Sequence, residues 1–135
     1  MNVAVLPDPL AWRAAAANRP ELFQTLDAGS RIGLIARTSP ARMLVWHAGD
    51  EGIDVQDAPF PGFATSGVDL LLSADNEALA EIVAAVQGQL FEALRCGIRS
   101  GAVVCYMLRR RCDLEAKGYD ELLEALGFAF MGACR

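Results

Sequence analysis

The sequence is poor in the residues that perform chemistry. It has one histidine, His47, which leaves little for a metal centre or an imidazole acid–base pair. No loop of the G-x-G-x-x-G or G-x-x-x-x-G-K kind occurs, so a phosphate cradle has no support. G-x-S-x-G is missing too, and with it the nucleophile elbow of many hydrolases. Four cysteines, Cys96, Cys105, Cys112 and Cys134, form no C-x-x-C pair, whereas zinc sites favour close Cys/Cys or Cys/His pairs. They are expected to be reduced and mostly buried as small apolar residues. His47 follows Trp46 near a strand end and is expected to be structural. With no acid, base and nucleophile set in view, the chain is not expected to be an enzyme, and no metal or cofactor is expected.

Excess positive charge is also lacking. The net charge is −5 and the pI about 4.8, without the basic footprint that nucleic-acid binding usually leaves. An acidic surface equally disfavours tight docking on anionic membranes. Asp50, Glu51, Asp54 and Asp57 lack the ligand spacing of a calcium loop and are expected to be a solvated edge. The longest strongly apolar run, residues 102–108, is far short of the ~20 residues that span a bilayer. The first residues have no basic region and a Pro-Asp break, unlike a signal peptide, so a cytoplasmic protein without stable membrane insertion is expected.

What is present is apolar sequence. The 135 residues suit one domain, residues 1–135, and 53% of them are hydrophobic. That excess comes either from a large interior with an oligomer interface, or from an apolar cavity whose lining adds to the count.

The pattern predicts both helices and strands. Asp8 is a cap and Pro9 a first helical residue for a helix through Trp12 and Ala14 to Ala17. Pro20 opens a second helix over 21–28. Strands are predicted over 31–37, 41–48 and 53–56, joined by turns at Thr38-Ser39-Pro40 and Gly49-Asp50-Glu51-Gly52, which makes an antiparallel meander. Pro59 to Phe63 is a loop with two aromatics. Val68, Leu70 and Leu72 alternate with Asp69, Leu71 and Ser73 as a strand, and a helix follows with its apolar residues at Leu79, Ile82, Val83 and Val86. Ser73 is the expected cap, with Asp75 and Glu77 in the first turn. A short helix over 89–94 is expected to end at Gly97, with 98–101 extended or turn-like. Residues 102–108 suit a fifth strand, although 107–116 also suits a helix. A last helix over 121–126 is capped by Gly127.

Two groups of residues are candidates for a site. Arg109, Arg110 and Arg111 are adjacent. On a strand Arg109 and Arg111 would share a face and could hold a carboxylate or phosphate head group; the plainer reading is a solvated segment offset by Asp113 and Glu115. Trp46, Phe60, Phe63, Leu70, Leu72, Phe91, Leu94, Leu122, Leu126, Phe128 and Phe130 either form the core or line an apolar cavity between sheet and helices.

The order of elements resembles the sterol-carrier-protein type 2 domain family over about residues 8–130. The residues that carry the resemblance are Arg31-Ile32-Gly33-Leu34-Ile35, Val45-Trp46, Gly49, Asp69-Leu70-Leu71-Leu72-Ser73, and Leu94-Arg95-Cys96-Gly97-Ile98-Arg99-Ser100-Gly101. The chain departs from the family at Ala102-Val103-Val104, where the family usually has a charge, and in the longer, triple-arginine segment that follows. The resemblance implies an α+β fold, with a mixed, mainly antiparallel sheet of about five strands and helices on one face. It also implies an apolar tunnel that binds or transfers a lipid-like molecule (a fatty acid, acyl chain, isoprenoid or sterol) without covalent chemistry, a cation near its mouth orienting the head group. The rival expectation is a structural or accessory subunit with a filled core that works through a homodimer or an enzyme partner.

Overall fold

In the computed structural model, residues 5–128 are described. Five strands form one sheet in the order β3-β2-β1-β4-β5. β1 (Arg31–Ala36), β2 (Arg42–Gly49) and β3 (Gly52–Pro59) are the expected antiparallel meander. β4 (Leu70–Ala74) lies parallel to β1, and β5 (Val103–Met107) returns antiparallel along β4. The architecture is α+β with a mixed, mostly antiparallel sheet, as the family resemblance implies.

Alternation decides what each face holds. Ile32, Leu34, Leu44, Trp46, Leu70, Leu72 and Val103 point to one side and join one buried cluster with residues from all the longer helices. The helices are α1 (Pro9–Ala17), α2 (Pro20–Phe23), α3 (Asn76–Ala85), α4 (Leu90–Ser100), α5 (Arg111–Ala116) and α6 (Asp120–Ala125). Ile35, Met43, Val45 and Leu71 point the other way and form a second, smaller cluster with Val68. Gly33 belongs to this outer face: a Cβ there would come within 2.8 Å of Met43 Sδ.

Helix starts follow local chemistry. Asp8 Oδ2 accepts from Ala11 N at 3.3 Å and Pro9 is the first residue of α1, as expected. α3 begins later than expected. Asp75, not Ser73, is its cap, with Oδ1 accepting from Ala78 N at 2.8 Å, while Ser73 stays in β4. The ending placed at Gly97 is also corrected. α4 runs through Gly97 to Ser100 and stops at Gly101, whose φ of 87° gives the left-handed turn. Gly97 is small because the helix crosses β5 closely; a Cβ there would meet Val103 Cγ2 at 2.6 Å. Residues 98–100 are therefore helical, not extended.

Cys96 and Cys105 are free thiols, and burial pushes the Cys105 thiol up to about 12. Cys112 is disulfide-bonded, which corrects the expectation that all the cysteines are reduced. Among the described residues no helix is long and apolar enough to cross a membrane.

Candidate functional site

The densest part of the inner face is aromatic. Trp12 of α1 stacks on Trp46 of β2 with ring centroids 4.1 Å apart and planes 2° from parallel. Phe23 meets Trp46 edge-on at 5.2 Å, and Phe91 lies 5.9 Å from the same ring. Trp46 Nε1 donates to the carbonyl of Trp12 at 2.7 Å, so the indole is buried without an unmet donor. Arg19 lies over the Phe91 ring at 5.4 Å and closes the cluster toward solvent.

A cleft of about 450 Å³ adjoins this cluster, between α1, α2 and the β2–β3 turn. Its apolar wall is supplied by Ala16 and Ala17 of α1, by Phe23 and Leu26 around the end of α2, and by Ile53. Phe23 thus has one side in the cleft and its ring against Trp46. The rim is charged: Asp50 and Glu51 from the turn stand with Arg13, whose Nη2 is 3.9 Å from Asp54 Oδ1. The acidic group expected as a solvated edge therefore frames the opening, apart from Asp57, which pairs with Arg42 at 2.9 Å.

A second polar group fixes one wall of the cleft. Asp69, just before β4, is buried, and every contact to its carboxylate is a donor. Oδ2 accepts from Tyr119 Oη at 2.7 Å and from Arg31 N at 3.1 Å. Oδ1 takes Lys117 Nζ at 3.0 Å and Arg109 Nε at 3.2 Å. Burial works against the charge, but the Tyr119 hydroxyl, the Lys117 ammonium and the Arg31 amide more than offset it, so the carboxyl is held below its ordinary value. Burial, and then the carboxylate beside it, pushes the Tyr119 phenol well above the ordinary range. The α5–α6 corner anchored in this way carries the segment after α2. Asp27 N donates to the Lys117 carbonyl at 2.9 Å and Thr25 Oγ1 to the Gly118 carbonyl at 2.8 Å. Gly118 has φ of 86°, and a Cβ there would collide with the carbonyl of Thr25. The order of support runs from Asp69, through Lys117 and Gly118, to the Phe23–Leu26 wall.

The candidate lining residues divide between the two faces. Trp46, Leu70, Leu72, Phe91, Leu94, Leu122 and Leu126 converge in the inner cluster, each 4% exposed or less, and Phe128 packs against it from the edge. Phe60 and Phe63 do not join them, because residues 60–67 fold back over the outer face. There Phe60 packs against the small cluster and Phe63 lies between Phe60 and Tyr106, at 5.5 and 4.9 Å. Phe130 lies outside the described residues. Of the head-group candidates, Arg109 is held by Asp69, and Arg111 is the first residue of α5; neither lines the cleft. They are not on a shared strand face, since β5 ends at Met107. Among the described residues no group of three His, Cys, Asp or Glu could hold a metal ion.

The sequence reading missed Asp69 as an anchor. The signal was an acid inside an apolar run, Val68-Asp69-Leu70, together with Lys117, the one lysine of the chain. It also passed over Arg13 and Phe23, which become neighbours only through the packing of α1 and α2 on the meander.

No protein-family model matches the chain, and no curated protein matches it. Among the solved structures that match is the solution structure of a conserved hypothetical protein from Thermus thermophilus, suggested to be a sterol carrier protein. It is 11% identical, with 93% of this chain and 90% of that one covered, at a TM-score of 0.49.

Proposed function

We propose that this domain binds a small, largely apolar, lipid-like molecule without covalent chemistry, in the cleft between α1, α2 and the β2–β3 turn. The observation that carries the reading is the cleft itself: about 450 Å³, with an apolar side formed by Ala17, Phe23, Leu26 and Ile53 under a polar rim, beside a buried aromatic cluster. Its volume lies within the range of about 300–1,000 Å³ usual for small-molecule sites. Burial of the ligand supplies the driving force, roughly 0.8 kcal/mol for each methylene removed from water. Association itself costs at least about 4 kcal/mol, so affinity should be modest and should rise with chain length.

The rim selects the head group. Asp50, Glu51 and Asp54 outnumber Arg13, and a free carboxylate entering there meets net repulsion. A neutral ligand, such as an alcohol, an isoprenoid or a sterol-like molecule, suits this opening better than a fatty-acid anion. Asp69 has no part in the chemistry of binding; it holds the wall through the α5–α6 corner.

Native mass spectrometry of the purified protein, followed by organic extraction, tests the reading. A neutral apolar molecule bound at near one per chain, and lost in an Ala17→Phe variant that fills the cleft, is the expected result. An anionic lipid retained equally by wild type and Ala17→Phe would remove the cleft from the account.

A further inference from the structure

The two edges of the sheet are built differently, and this asymmetry goes beyond ligand binding. β3 bears Asp54 and Asp57, so its edge is charged. Charge on an edge strand is a common protection against pairing with another chain. β5 reads Val103-Val104-Cys105-Tyr106-Met107, with no charge, proline or glycine. Leu108 N donates to the Asp69 carbonyl, and Asp75 N to the Ala102 carbonyl, both at 2.9 Å. The even-numbered residues of β5 therefore turn their polar groups to β4, and Val103, Cys105 and Met107 turn theirs outward. Among the described residues nothing pairs with those outward groups. Val104 and Tyr106 are 36% and 40% exposed, and Phe63, against Tyr106, is 45% exposed.

We propose that this edge binds a second copy of the chain, β5 against β5, in an antiparallel pair about a two-fold axis at Cys105. The strand is self-complementary in that register. Cys105 faces Cys105 of the second copy, and Val103 faces Met107 of the second copy, so every outward backbone group finds a partner. On the outer face Val104 stands opposite Tyr106 of the second copy, a β-branched and aromatic pair that favours strand association. The Phe60–Phe63–Tyr106 row then continues across the axis. Beyond the strand ends the register sets Arg109 against Gly101, so no two cations meet. A β3-to-β3 pair would instead bring Asp54 and Asp57 of both copies onto one edge. An interface of one short strand is at the small end for stable complexes, so association should depend on concentration in the micromolar range.

Sedimentation velocity across a hundred-fold concentration range, with amide hydrogen exchange on the same samples, tests this. The wild type should pass from monomer to dimer, with the amides of Val103, Cys105 and Met107 protected only in the dimer. Val104→Lys, which sets a cation against Tyr106 of the second copy, should stay monomeric with unchanged circular dichroism. Leu10→Lys, an exposed residue of α1, should dimerise like the wild type. A wild type that stays monomeric at every concentration overturns the proposal. So does a dimer that survives Val104→Lys, or one whose β5 amides remain unprotected.

Discussion

The two faces of the sheet use the same alternation to different ends. The inner face buries Trp46, Leu34, Leu70 and Leu72 under helices, with stacked tryptophans at the centre. The outer face buries only Ile35, Met43, Val45 and Leu71, together with Val68, beneath a loop that leaves Phe63 partly in water. Most of the buried apolar surface belongs to the first face, and the exposed Phe63, Val104 and Tyr106 belong to the second. The cleft lies where the inner face runs out, at the β2–β3 turn, and its wall is the outermost layer of the aromatic cluster. The lesson is that an apolar count of 53% need not mean one tunnel. Here it is divided between a packed interior, a small second cluster and a cleft at the margin.

The strongest way to break this contrast is to empty the inner centre. Trp46→Ala removes the ring that stacks on Trp12 and the donor to its carbonyl. A loss of about 3–5 kcal/mol is expected in urea unfolding. Asp69→Asn should follow at about 3 kcal/mol, because Lys117 and Arg109 lose the charge they share while Tyr119 and Arg31 keep a poorer acceptor. The pH dependence sharpens the same point. Asp69 has a lowered folded value, so its contribution is complete above the unfolded value of about 4 and is lost as pH falls through the folded one. Tyr119 is raised, so its contribution is complete below about 10 and is lost as pH climbs beyond that. Wild-type stability measured against pH should therefore fall at both ends, and Asp69→Asn should flatten the acid limb.

Leu126→Trp probes whether the inner face is full. Leu126 is 1% exposed among other buried leucines, so overpacking should cost roughly 1–3 kcal/mol by thermal unfolding. The smallest effect is expected outside. Phe63→Ser should change stability by less than about 0.5 kcal/mol, since the ring is 45% exposed and, among the described aromatics, touches only Phe60 and Tyr106. A larger loss there would mean that the outer face is a true second core.

Much of the fold was legible because strands announce themselves by alternation. Ile32-Leu34, Leu44-Trp46, Ile53-Val55 and Leu70-Leu72 place their faces without any knowledge of neighbours. Close approach was not legible. Gly97 reads as a helix end in isolation, yet it is a helix interior made small by Val103. Ser73 and Asp75 are equivalent as caps on paper, and pairing of Ser73 with Ile35 and Val104 keeps it in the sheet. The site was less legible still. Phe60 and Phe63 share composition with the core residues but follow a turn that carries them to the other face. Asp69, Lys117 and Tyr119 are up to 50 positions apart, and only the parallel β1–β4 pairing and the α5–α6 corner bring them together.

The most direct measurement is a titration of tryptophan emission with 1-decanol and with decanoate, chains of equal length and different charge. Trp12 and Trp46 are the only tryptophans, and Phe23 links them to the cleft. The account predicts a saturable change with 1-decanol at lower concentration than with decanoate, and none in Ala17→Phe. Tighter binding of decanoate, or an unaltered curve in Ala17→Phe, would contradict it.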